Sequence, residues 1–151
     1  MNFILTPCTI SGGSMDPTLH DKEKVLIWNL FYDADNDDII VFDAGESYYV
    51  KRVVAKEEDI IKYDSKTSEL FVNNVFIEKI TNKEYLIIYN SVFDTDSTQY
   101  EFTVPEDKVL VLGDNRGNSN DSRDFGFIDE YDVLGKLIFR IYPFGKFGVV
   151  R

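Results

Sequence analysis

The stretch "YYVKRVV", residues 48–54, decides how the rest of the chain is read. Its β-branched and aromatic residues suit a pleated, half-buried strand. Successive side chains of a strand point to opposite faces, so Tyr49, Lys51 and Val53 share one face and Val50, Arg52 and Val54 the other. Each face is apolar but for one cation. Lysine is seldom buried unless paired. Lys51 therefore reads in one of two ways: as a charge kept at an edge or led out to solvent, or as a base whose ammonium form the strand disfavours.

Working outward, seven more runs share this texture: "KVLIW" (24–28), "DIIVF" (38–42), "ELFVNNVFI" (69–77), "EYLIIY" (84–89), "YEFTV" (100–104), "KVLVLG" (108–113) and "GKLIFRIYP" (135–143). Short strands separated by polar and glycine clusters predict an all-β sandwich or barrel-like fold. Within the third run, Asn73-Asn74 signals a hairpin, because Asn tolerates the positive φ of tight primed turns. Helical periodicity is weak, with short candidates only at Pro17–His20 and Asp129–Val133. Residues 56–105 are more charged and less regular than their flanks. They predict a small second lobe inserted into a β core built from residues 1–55 and 106–151.

A chain of 151 residues is one domain, or one domain with a sizeable insertion. It can bury a core without disulfides, and its single cysteine, Cys8, cannot form an internal one. The net charge of −11 argues against nucleic acid as a partner, since phosphate binding rests on clustered Lys and Arg. No apolar run approaches the roughly 18 residues that would span a bilayer. The N-terminus lacks the basic stretch and long apolar region of a signal peptide. "MNFIL" leads straight into a glycine–serine segment, the form expected of a chain trimmed of an upstream segment.

That segment, "SGGSMDPTL" (11–19), holds Ser14 between Gly13 and Met15. A serine hydroxyl is a weak nucleophile until a base takes its proton. The one histidine, His20, lies six residues on and past a proline, and is expected at the surface or flanking a hairpin. Lysine can serve instead if its pKa falls by about three units, roughly 4 kcal/mol of disfavoured charge. Burial beside Tyr49 and Val53 acts in that direction, which makes Lys51 the base for Ser14. A third segment, "LGDNRGNSNDSRDFGF" (112–127), crowds Asp, Asn, Ser and Arg into one loop. Counted from Asp114, an EF-hand would need an oxygen ligand at the third position and Gly at the sixth, where Arg116 and Ser119 stand. No metal or cofactor is expected. A rigid polar turn braced by Asp–Arg pairs remains open for this loop.

Together these segments resemble the type I signal peptidases. "Ser14-Met15-Asp16-Pro17-Thr18-Leu19" is similar to their serine box, "Asp38-Ile39-Ile40-Val41-Phe42" to the next, and "Lys51-Arg52-Val53-Val54" to the lysine box. The "Gly113-Asp114-Asn115-Arg116" to "Asn118-Ser119-Asn120-Asp121-Ser122-Arg123" block resembles the last and most distinctive one. The order is the family's, from about residue 3 to 151. Self-cleaving repressors of the SOS response also pair an S-M-x-P serine with a lysine, but lack this last block.

The resemblance implies a signal-peptidase-like catalytic β-fold of antiparallel sheets with a small inserted β lobe. It implies a membrane-anchored serine endopeptidase, its catalytic domain on the extracytoplasmic side, that cuts signal peptides from exported preproteins after small residues (Ala-X-Ala-like). By motif position Ser14 is the nucleophile, Lys51 the general base, and Ser119 the serine that orients the amine. Asp121 with Arg123, and Asp114 with Arg52, brace the site as ion pairs. The oxyanion is held by the Ser14 N–H; Gly12 stands where some members carry a second, hydroxyl donor. Ile10, Met15, Leu19, Tyr49 and Val50 match the walls of the substrate pockets. The alternative is a non-catalytic relative, or one dedicated to a client such as a pilin.

Overall fold

The structure is a computed structural model that describes residues 5–30, 32–79 and 99–151. In chain order its strands are β1 (Leu5–Thr9), β2 (Lys24–Trp28), β3 (Ile39–Asp43), β4 (Tyr48–Lys56), β5 (Ile60–Asp64), β6 (Glu69–Val72), β7 (Val75–Lys79), β8 (Gln99–Thr103), β9 (Lys108–Leu112), β10 (Ile128–Asp129), β11 (Val133–Tyr142) and β12 (Gly148–Val149). The larger sheet runs β1-β2-β11-β3-β4-β9-β10, with β12 paired to β11. The smaller runs β7-β6-β5-β8. Every pairing is antiparallel, so the fold is all-β as the short-run texture predicts. The 84–89 run lies outside the described residues.

Strand β3 shows why "DIIVF" is apolar without a break. Ile40 and Phe42 feed a cluster with Val53, Val109, Val111 and Ile128. Ile39, on the opposite face, packs with Ile10, Met15, Leu19, Val25 and Leu137. Both faces are covered, so no polar alternation is needed. In β4 the alternation holds where it matters: Lys51 stands opposite Ile40, and Tyr49 opposite Phe42. A register shift between Val53 and Ala55 then interrupts the pairing with β9. After it, Val54 and Ala55 both enter a third cluster, shared with Ile61, Leu70 and Val72 of the smaller sheet. The smaller sheet is thereby packed on the larger through apolar contact.

The Asn73-Asn74 turn has φ of 50° and 65°, the pair of positive angles a primed hairpin requires. Two helical expectations are corrected. Pro17–His20 is a turn, not a helix; a bond from the Leu19 N–H to the Met15 carbonyl closes it, with Met15 and Leu19 both buried on the same cluster. Asp129–Val133 contains only the 3₁₀ turn Glu130–Asp132. The single described α-helix, α1 (Ser122–Phe125), lies in the polar loop. Asp121 caps it and Asp124 closes the capping box, so side-chain oxygens, not periodicity, create it.

Gly135 on β11 sits at φ +149°, where a Cβ would meet the Trp28 carbonyl oxygen at 2.2 Å. Gly135→Ala is expected to lower stability by at least the 1–3 kcal/mol typical of backbone strain, about 2 kcal/mol or more. Urea unfolding checks this; an unchanged midpoint would contradict the close approach.

Candidate active site

Ser14 lies on the turn between β1 and β2. Gly12 reverses the chain at φ +82°, and its N–H donates to Asp21 Oδ1 at 2.9 Å. The ends of the turn are tied by the Ile10 N–H to Glu23 and the Lys22 N–H to Ile10, both at 2.9 Å. Met15 and Leu19 plug into the core on either side of the proline. Ser14 itself is left half-buried above them.

Strand β4 brings Lys51 to it from 37 residues away. Lys51 Nζ lies 2.8 Å from Ser14 Oγ, and the amine donates to the Val50 carbonyl at 3.0 Å. The side chain is 2% exposed and the Tyr49 ring centroid is 5.2 Å from the amine. Desolvation lowers the Lys51 pKa to about 8, and the nearby Asp121 carboxylate pulls the other way. The lone cation on the Tyr49–Val53 face of "YYVKRVV" is thus buried, and its neutral form, whose lone pair can accept the Ser14 proton, is easier to reach than in an ordinary lysine.

The polar loop closes the third side. Gly113 must be glycine: a Cβ there would meet Ser119 Oγ at 2.1 Å and the Ser14 carbonyl oxygen at 2.6 Å. The Asn115 N–H donates to that Ser14 carbonyl at 2.9 Å, and Asn115 Nδ2 to the Gly13 carbonyl at 2.9 Å. Asp121, fully buried, accepts from the Gly113 N–H (2.9 Å), Ser119 Oγ (2.7 Å) and Arg123 Nε (2.8 Å). Its burial alone would raise its pKa, but the Arg123 guanidinium and the other donors outweigh that and hold it below the ordinary carboxylate value. Asp114 is likewise held low, with desolvation outweighed by a bidentate pair to Arg52 at 2.9 and 2.8 Å. Arg116 reaches out of the loop to both Glu78 oxygens on β7 at 2.8 Å, and back to the Gly113 carbonyl at 2.5 Å.

Most of the residues singled out in the sequence meet here, but not all in the expected contacts. The hydrogen bonds of Lys51 run to Ser14 and Val50, and Ser119 makes none to the amine; its hydroxyl is given to Asp121. A cleft of about 790 Å³ opens over Ser14 and Lys51 and is bordered by Ile10, Met15, Tyr49 and Val50. Leu19 does not reach it, being fully buried against Val25 and Leu137. His20 is hydrogen-bonded to Asp16. Asn118 and Asn120 also line the cleft and went unassigned in the sequence; their place within the crowded loop was the available signal. Among the described residues no group of three His, Cys, Asp or Glu side chains could hold a metal ion.

With a buried amine on a serine, the comparisons with known proteins can be set beside the geometry. The family described as signal peptidase, peptidase S26, matches residues 1–142. This chain belongs to that family. Signal peptidase IB of Staphylococcus aureus (strain N315) is 39% identical over 158 residues, covering 96% of this chain and 82% of that protein. Signal peptidase I S of Bacillus subtilis (strain 168) is 32% identical over 155 residues, covering 96% and 81%. A crystal structure of a signal peptidase I from Enterococcus faecalis V583 superposes with a TM-score of 0.48 at 27% identity, over 70% of this chain and 97% of that one. The chain is a serine endopeptidase with signal peptidase function. Signal peptidases of this family act at membranes with an extracytoplasmic domain; among the described residues no helix is long and apolar enough to cross one.

The buried amine has a cost that can be read. Unfolded, the lysine keeps its ordinary pKa of 10.5; folded, it sits at about 8. The folded pKa of this base is depressed, so the folded state binds fewer protons between these values and stability rises with pH across that window. Below it the penalty is present in full, about 3 kcal/mol. Lys51→Met is therefore expected to be more stable than the wild type at pH 7, with most of the difference gone by about pH 10. Urea unfolding of both proteins at the two pH values checks the sign.

Proposed function

We propose that Ser14 and Lys51 form a catalytic dyad that cleaves signal peptides from exported preproteins. One observation carries the reading: a buried lysine amine with a pKa of about 8 stands 2.8 Å from a serine hydroxyl at the floor of a cleft. Ser14 Oγ attacks the scissile carbonyl carbon while the neutral amine takes its proton. The oxyanion forms beside the Ser14 N–H. When the C–N bond breaks, the Lys51 ammonium returns that proton to the departing amine, leaving an acyl-serine. Water then attacks the ester with Lys51 again as base, and Ser14 is regenerated.

The supporting residues take roles that fit their partners. Ser119 acts through Asp121, whose charge lies near enough to favour the ammonium. The Asp121–Arg123 and Asp114–Arg52 pairs fix the loop and strand that carry the dyad. Ile10, Met15, Tyr49 and Val50 shape the cleft for small side chains next to the cut. The enzyme works on the extracytoplasmic face of the cell membrane, held there by a single-pass anchor. A general signal peptidase is favoured over an assembly factor dedicated to pilin-type clients: the signal peptidases of Staphylococcus aureus and Bacillus subtilis match 96% of the chain.

A peptide carrying Ala-X-Ala before the cut, presented in detergent or lipid, is the test substrate. Ser14→Ala and Lys51→Ala are each expected to reduce kcat by about 10⁴-fold or more, whereas His20→Ala stays active. Cleavage that survives either dyad substitution sinks the assignment. The neutral amine is the active form, so kcat/KM is expected to rise with pH through an acid limb near about 8. A limb in the imidazole range would point to another base.

A further inference from the structure

The proposed reaction leaves its oxyanion to a backbone donor, and the Gly12 position supplies no side chain to help. The Gly12 N–H is itself committed to Asp21 Oδ1 at 2.9 Å. The Ser14 N–H, by contrast, donates to no protein group among the described residues. A single donor of this kind stabilises a transition state only if it is already aimed when charge develops. Something must aim it.

We propose that Asn115 is the positioning residue for this donor. The inference rests on Ser14 being the nucleophile. A peptide unit is planar and trans, so its C=O and N–H point in opposite directions from one rigid plate. The Ser14 N–H belongs to the same plate as the Gly13 carbonyl. Asn115 Nδ2 donates to that carbonyl at 2.9 Å, from a loop 102 residues away. The carbonyl can only accept, so the amide nitrogen faces it. Asn115 also donates its own N–H to the Ser14 carbonyl at 2.9 Å, holding the next plate. One residue thus grips the peptide on each side of Ser14. A longer bond from the Asp16 N–H, at 3.2 Å, also reaches the Gly13 carbonyl, but it is local to the turn and moves with it. Hydrogen bonding at the carbonyl polarises the plate and strengthens its N–H as a donor.

Asn115 is itself held. The Asn118 N–H donates to its carbonyl at 2.9 Å, and Arg116 next to it is clamped between Glu78 and the Gly113 carbonyl. The side chain makes no hydrogen bond to Lys51 and does not line the cleft, so its removal separates donor alignment from proton transfer.

The test uses Asn115→Ala and Asn115→Asp in the chain that cleaves the Ala-X-Ala peptide. Both keep the main-chain bond to Ser14, so the loop stays tethered. Asn115→Ala is expected to lower kcat about 10- to 100-fold, short of the 10²–10³ lost with an oxyanion donor itself. KM and the acid limb stay where they are. A peptide aldehyde that adds to Ser14 and generates the oxyanion should lose affinity by the same factor as kcat, while the matching peptide alcohol should not. Asn115→Asp should fall further, because a carboxylate then confronts the carbonyl. If Ser14→Ala is inactive but Asn115→Ala keeps wild-type kcat and aldehyde affinity, the positioning role is wrong and the dyad stands. A loss confined to KM, or one that shifts the acid limb, overturns it too. If Ser14→Ala remains active, the failure lies with the nucleophile.

Discussion

A lysine amine buried next to a hydroxyl can act as a base near neutral pH only if the protein makes its charged form less favourable than it is in water. The surroundings of Lys51 manage this against an acidic background: the chain carries a net charge of −11, and Asp121 sits close enough to raise the lysine pKa. The apolar face shared by Ile40, Phe42 and Val53 supplies the opposing desolvation. Asp121 is kept from dominating because its charge is already occupied by Arg123, the Gly113 N–H and Ser119. The amine therefore settles between two opposing influences, of which desolvation is the larger.

Much of the remaining architecture serves that balance. Strand β4 must be interior for Lys51 to be dry, which requires β3 and β9 on its two edges and apolar cover on its faces. The polar loop must approach within contact of the serine turn, and only a glycine at 113 allows the Ser14 carbonyl and Ser119 to come so near. Two buried or half-buried Asp–Arg pairs fasten the loop at its entry and exit, Asp114 to β4 and Asp121 to α1. Buried ion pairs are a weak source of net stability but a strong constraint on geometry when each charge is multiply hydrogen-bonded.

The sequence made this legible wherever a pattern is set by short-range physics. Alternation in "YYVKRVV" placed Lys51 on an apolar face, and the Asn73-Asn74 pair marked a hairpin, because both follow from backbone geometry. The Ser14–Lys51 pairing needed chemistry as well, a nucleophile short of a base and a base short of solvent. What escaped was set by contacts across the fold. Strand β1 contains Pro7 within "LTPCT" and is a strand because β2 pairs with it, not by propensity. The one-turn helix α1 exists through capping oxygens. Leu19 was expected in a pocket wall, yet its turn presses it into the core. Ser119 was expected on the amine, but its hydroxyl is given to Asp121.

The bridge from Arg116 to Glu78 gives the smaller sheet a share in this arrangement. Glu78 faces the loop only in the present alignment of β7 on β6, and side chains on a strand change face with every residue of slip. That alignment is set at the hairpin tip by two asparagines in left-handed conformation. A surface turn remote in sequence from Ser14 thus acts as an indexing pin. Where it seats the strand determines whether the loop over Ser14 has a strut beneath it or only its own hydrogen bonds.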